Sequence, residues 1–175
     1  MNLSFREQKK LKIFLLVLIL FMFLPILLTF FCGKIFYSNT TDSATRGLYL
    51  KTFSQELHYG DYVIVELPMD VPSLHVQQGF LLLKRVRGFS GDSYRIEEGR
   101  FSLGDADYPI YPVAGLPQQD DGIKFVPDGE LLLLNDMEKS FDSRYFGPVS
   151  QGNVVAKVSL FLSYEPFYHI MEVLS

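Results

Sequence analysis

The chain has 175 residues, 48% of them apolar, and a formal net charge of −4. Its apolar residues concentrate in one uncharged block, residues 13–32, which excludes a simple cytosolic globular protein. The acidic remainder argues against a nucleic-acid partner, since phosphate binding needs a basic surface.

Residues 1–12 carry Arg6, Lys9, Lys10 and Lys12 against Glu7 alone. A basic flank before an apolar block places the N-terminus in the cytoplasm. Residues 13–32 read IFLLVLILFMFLPILLTFFC. Twenty helical residues at about 1.5 Å each span about 30 Å, the hydrocarbon thickness of a bilayer. The block is longer than the roughly 7–15 apolar residues of a cleaved signal, and no A-x-A-like site follows it. Phe30 and Phe31 stand before Cys32, where a lipoprotein would carry small residues. An uncleaved anchor is therefore expected, tolerant of Pro25 at mid-span. Residues 33–175 are expected to form one extracytoplasmic domain.

That domain reads as short strands and turns. Segment 61–67 is β-branched and aromatic, 80–87 lies between Gly79 and Gly88, 131–134 follows the turn Pro127-Asp128-Gly129, and 153–162 follows Gly152. Such runs favour an antiparallel, mainly β fold. Residues 101–119 read as irregular or as an insertion, and 164–175 as a short helix or an edge strand. Phe36, Tyr37, Phe167, Tyr168 and Met171 suit either a membrane interface or ordinary core packing.

Few residues offer chemistry. His58, His75 and His169 show no ligand spacing, and Cys32 is the only cysteine, so no metal, cofactor or intramolecular disulfide is expected. Asp120–Asp121 and Glu97–Glu98 read as solvated turns. Serine with lysine remains. A lysine becomes a base near neutral pH only when burial lowers its pKa from about 10.4. In a strand over 80–87, Phe80, Leu82, Lys84 and Val86 share one face, while Leu81, Leu83, Arg85 and Arg87 share the other. Lys84 is then a cation flanked by apolar neighbours.

Three patches, in order, resemble the membrane-bound signal peptidases of the serine/lysine type, family S26, and look closest to the TraF-like peptidases of conjugative transfer. The first runs from Asn39 through Thr41, Ser43, Arg46, Gly47 and Leu48 to Tyr49 and is similar to a Ser-x-Pro-x-Gly-Leu/Ile-Tyr motif. The second, Lys84-Arg85-Val86-Arg87-Gly88-Phe89-Ser90-Gly91-Asp92, resembles Lys-Arg-Val-x-Gly-x-Pro-Gly-Asp. The third, from Asn135 through Ser140, Asp142, Ser143 and Arg144 to Gly147 and Val149, resembles Asn-x-x-x-x-Ser-x-Asp-Ser-Arg-x-x-Gly-x-Val. Thr45 and Ser90 stand where this pattern has proline, and a missing proline frees φ beside Ser43.

The resemblance implies an anchored signal peptidase with an antiparallel β catalytic domain. It implies Ser43 as nucleophile, Lys84 as general base, Thr41 as an oxyanion hydroxyl, Ser140 as the hydroxyl orienting the lysine, and Asp142–Arg144 as a structural ion pair. Preproteins, a pilin precursor among them, and the lipid bilayer are the implied partners. Ser43 lies eleven residues past Cys32, so it is at most about 40 Å from the end of the block. A housekeeping signal peptidase shares the dyad and is the first alternative. An inactive anchored assembly protein is the second.

Overall fold

A computed structural model of the protein describes residues 5–166, with side chains described for 6–24, for 26 and from 33 onward. Phe167, Tyr168, His169, Met171, most of segment 164–175 and the Cys32 side chain lie outside the described residues. The chain divides into two compact units, Met1–Ile35 and Phe36–Ser175.

The first unit is the helix α1, Phe5–Cys32. Apolar side chains from Ile13 to Leu24 are exposed all round it. Among the described residues, no helix is long and apolar enough to cross a membrane. The expected span over 13–32 is not reproduced there: the helix's described side chains end at Leu24 and Ile26, and the part of the helix before Ile13 carries Arg6, Glu7, Lys9, Lys10 and Lys12.

The second unit is mainly β and antiparallel throughout. Its strands are β1 Phe36–Asn39, β2 Gly47–Lys51, β3 Tyr62–Glu66, β4 Leu81–Phe89, β5 Ser93–Glu97, β6 Arg100–Leu103, β7 Ala106–Pro109, β8 Gly122–Phe125, β9 Glu130–Leu134, β10 Val149–Ser150 and β11 Val154–Ser163. A one-turn helix, α2 Ser143–Phe146, precedes β10. Seven strands form one sheet in the order β1-β2-β11-β3-β4-β9-β10, and four form a second in the order β7-β6-β5-β8. The four strands expected from β-branched and apolar runs appear as β3, β4, β9 and β11, each shifted by no more than two residues at either end.

β9 ties the two sheets together. Its side chains alternate, and both faces find apolar partners. Leu131 and Leu133 pack with Val63, Val65, Val86 and Val149. Leu132 and Leu134 pack with Tyr94, Ile96, Phe101 and Tyr108 from the smaller sheet. A third cluster gathers Tyr37, Tyr49, Ile64, Leu83, Ala156 and Val158 under β11.

One expectation is corrected, and one open alternative is decided. Within 101–119, residues up to Pro109 are regular: β6 and β7 form a hairpin in which Phe101 and Tyr108 are register partners and both are buried. One aromatic per strand anchors it, too sparse a pattern to show as a run. Residues 110–121 are irregular. Tyr37 belongs to the core rather than an interface, while its neighbour Phe36 points outward, as strand alternation requires.

Gly47, in the first motif, is explained by packing. A Cβ there would lie 2.4 Å from the Leu162 carbonyl oxygen and 2.7 Å from Leu160 Cδ1, where β11 carries an irregularity in its register with β2. Gly47→Ala should destabilise the domain by about 1–3 kcal/mol through overpacking. Urea unfolding with an unchanged m-value checks this.

Candidate active site

Three connections supply the site. Antiparallel pairing of β1 with β2 sets Asn39 opposite Gly47, so residues 40–46 form a loop hung on that pair. β4 places Lys84 opposite Val63 of β3. Pairing of Arg85 with Leu134 brings the end of β9 alongside β4, and the loop 135–142 starts there.

Lys84 is 2% exposed. Phe80 and Leu82 line the same cavity as Lys84, so the alternation expected from the sequence holds. Its Nζ donates to Ser140 Oγ at 2.9 Å, and Ser140 is itself buried. Burial lowers the Lys84 pKa to about 8; the negative charge of Asp142 opposes this and the positive charge of Arg144 adds to it.

Arg144 organises the loop that carries Ser140. It forms a bidentate pair with Asp142, Nε to Oδ1 and Nη2 to Oδ2, both at 2.8 Å, and neither side chain touches solvent. Its remaining N–H groups donate to the carbonyls of Met137 and Glu138 at 2.8 and 2.9 Å. Asp142 also accepts the Asn135 N–H at 3.1 Å, and Ser143 Oγ accepts the Leu133 N–H at 2.9 Å. Asn135 donates from Nδ2 to the Leu83 carbonyl at 3.0 Å, fastening the loop beside Lys84. On the opposite face of β4, Arg85 and Arg87 converge on Asp136.

Ser43 sits half-buried in the 40–46 loop. Its Oγ is 2.9 Å from Thr41 Oγ1. Thr41, Ser43, Lys84 and the 136–139 stretch line one cavity of about 680 Å³, with Leu74, Val76, Phe80, Leu82 and Phe141 as its apolar wall. All four expected site residues thus gather: Thr41, Ser43 and Lys84 face the cavity, and Ser140 holds Lys84 from behind. The direct bond from Ser43 to Lys84 is not made; Ser43 bonds Thr41 and Lys84 bonds Ser140.

The missing proline at position 45 has a substitute. The Thr45 carbonyl accepts from Tyr49 Oη at 2.8 Å and from Asn39 Nδ2 at 3.2 Å. Burial pushes the Tyr49 phenol up to about 12, so it stays a donor. Asn39, Tyr49 and Asn135 support the loops around the cavity, although the motifs that contain them assign them no role. The Asn-x-Thr spacing, which favours a side-chain-closed turn, was the available signal for the first. Asp92 serves its turn, accepting from the Phe89 N–H and Tyr59 Oη. His58 and His75 are exposed, and among the described residues no group of side chains is arranged to hold a metal.

A mainly β domain with a serine loop facing a buried amine is the class of a serine-type peptide hydrolase. The family described as signal peptidase, peptidase S26, matches residues 8–163, and the chain belongs to it. Signal-peptide cleavage by a serine peptidase is the activity of that family. Among solved structures, the chain is similar to a signal peptidase I from Enterococcus faecalis V583, at 19% identity over 59% of this chain and 97% of that one, with a TM-score of 0.39. Comparison with curated proteins finds no match.

Two predictions follow from this geometry. Arg144→Ala leaves Asp142 buried and unpaired and should cost about 3–5 kcal/mol, measured by urea unfolding. For Lys84, a folded-state pKa of about 8 against the ordinary 10.5 means that the unfolded chain binds more protons between those values. Stability should therefore rise as pH climbs from 8 to 10.5, by an amount on the order of 3 kcal/mol. Lys84→Met should abolish the rise in a pH series of unfolding curves.

Proposed function

We propose that the protein is a membrane-anchored signal peptidase in which Ser43 is the nucleophile and Lys84 the general base. The observation that carries this is Lys84: a lysine 2% exposed, brought down to about 8, opening onto the cavity that Ser43 lines. Neutral Lys84 donates one N–H to Ser140 and keeps its lone pair for a proton. Ser43 Oγ attacks the scissile carbonyl as Lys84 takes its proton, and the tetrahedral oxyanion draws on the Ser43 N–H and the Thr41 hydroxyl. Collapse passes the proton from Lys84 to the leaving amine. Water, or an amine, activated by Lys84 then resolves the acyl-enzyme.

The anchor reading rests on the uncharged block 13–32 with its basic flank, and on a helix apolar on every side, which suits lipid better than one packed face. It places residues 1–12 in the cytoplasm and the catalytic domain on the outer face of a bacterial inner membrane. Alkaline extraction should leave the full chain in the membrane pellet, and recovery in the supernatant would refute the anchor.

For the substrates we propose pilin-like or other conjugation-system preproteins, from the compact Gly47-Leu48-Tyr49 run after the nucleophile loop. N-terminal sequencing of exported proteins with and without active enzyme tests this. A change confined to one small preprotein supports it, and a change across many exported proteins favours housekeeping.

Ser43→Ala and Lys84→Ala should each abolish processing with the fold intact. Lys84→Arg should fail too, because guanidinium stays protonated. Since the base must be neutral, kcat/KM of the wild type should rise about tenfold per pH unit below about 8 and level off above it. A flat profile from pH 6 to 9 would remove Lys84 from the role of base.

A further inference from the structure

Asn39 closes β1 and pairs with Gly47, so it stands at the mouth of the loop that carries Thr41 and Ser43. It is 8% exposed and uses its whole amide. Nδ2 lies 3.1, 3.1 and 3.2 Å from the carbonyls of Thr41, Ala44 and Thr45, its two hydrogens shared among the three. Oδ1 accepts the Thr41 N–H at 3.3 Å and contacts Thr41 Oγ1 at 2.8 Å. These partners determine which way the amide points. Turned over, it would set an oxygen against three carbonyl oxygens and an NH₂ against an N–H.

The orientation fixes the protons. Oδ1 carries no hydrogen, so the Thr41 hydroxyl is the donor in the 2.8 Å contact. A hydroxyl has one proton to give. In the 2.9 Å contact between Thr41 and Ser43, Thr41 therefore accepts and Ser43 donates. The hydrogen bonds run in one direction, from Ser43 to Thr41 to Asn39. Neither proton points where the reaction needs it: that of Ser43 is turned from Lys84, and that of Thr41 is committed to Asn39.

We infer that Asn39 is a positioning residue that holds Thr41 and Ser43 in a resting hydrogen-bond chain, which substrate binding turns over. The inference rests on the Ser43/Lys84 reading. In the turned-over state the Thr41 hydroxyl rotates from Asn39 Oδ1 to the oxyanion, and the Ser43 hydroxyl rotates from Thr41 to Lys84. Each oxygen keeps its own proton during the rotation, and no covalent bond changes. The contacts of Nδ2 with the loop carbonyls and the bond from the Thr41 N–H stay in place, so the loop backbone holds still while the two hydroxyls move. Asn39 thus does two separate things: Nδ2 shapes the loop, and Oδ1 stores the Thr41 proton until an oxyanion competes for it.

The test is a double-mutant cycle on the full chain with a fluorogenic peptide spanning an Ala-x-Ala cleavage site. Asn39→Ala should lower kcat by roughly ten- to a hundredfold and leave KM within about threefold, since the Nδ2 contacts and the bond from the Thr41 N–H, which persist when the hydroxyls turn, place Thr41 and Ser43 for the transition state rather than for binding. Thr41→Val should lower kcat as well. The double variant should be at least about tenfold more active than the product of the two single losses, because Asn39 acts partly through Thr41. Thr41→Ser, which keeps the hydroxyl, should restore both the rate and the full sensitivity to Asn39→Ala. Losses that simply multiply would overturn the inference, as would wild-type kcat in Asn39→Ala alongside an inactive Ser43→Ala. Full activity in Ser43→Ala would overturn the dyad itself and this inference with it. Should Asn39→Ala fold poorly by its urea midpoint, Asn39→Ser applies the same criteria to a smaller change.

Discussion

The buried Asp142–Arg144 pair is the constraint on which the site depends. Two opposite charges without solvent contact cost several kcal/mol each to desolvate, and their attraction repays this only when every remaining donor and acceptor is used. Here they are used. Arg144 spends its other N–H groups on loop carbonyls, and Asp142 takes the Asn135 and Arg144 backbone N–H groups. The energy that satisfies the pair is therefore the energy that shapes residues 135–142. Of that loop's apolar side chains, Met137 is exposed and Phe141 packs against Tyr145 and Phe146, so ring contacts and the pair together bring Ser140 to Lys84.

The same pair sets the electrostatic balance at Lys84. Burial alone drives the amine toward its neutral form. Asp142 works against this and Arg144, with a smaller influence, works with it, so the guanidinium offsets part of what the carboxylate does at Lys84. A lone carboxylate in that position would favour the ammonium and undo what burial achieves. A lone guanidinium would push the amine further down and weaken it as a base. Keeping both charges gives the loop its structure while leaving burial as the dominant influence. The cost is carried as lost stability below pH 8, the kind of local penalty expected at a functional site.

Much of this could be read from the chain. The alternation along Phe80, Leu82 and Lys84 puts the lysine on an apolar face from pattern alone, because strand geometry has a fixed period. β9 was visible as a four-leucine run because both of its faces are buried. β6 and β7 were not visible, since a four-residue strand with a single buried aromatic leaves no period to detect. The site was legible where motifs are contiguous and illegible where support comes from afar. Tyr49 holds Thr45 through one hydroxyl, and Asn135 reaches Leu83 across 52 residues of sequence. Neither contact follows from local pattern.

The loop carrying Ser43 shows how one restraint can replace another. Proline would limit φ next to the serine through its ring, without any partner. With Thr45 there, the restraint comes from outside the residue, as two donors converging on its carbonyl. The two solutions differ in consequence. A ring restrains a single torsion and leaves the neighbouring side chains alone. An asparagine that reaches the Thr45 carbonyl with its nitrogen also presents an acceptor oxygen on its other side, and Thr41 is where that oxygen finds a proton. Replacing a covalent restraint by a hydrogen-bonded one thus ties the shape of the loop to the orientation of its hydroxyl groups. A change that looks like a loss of rigidity near Ser43 also fixes where the Thr41 hydroxyl points.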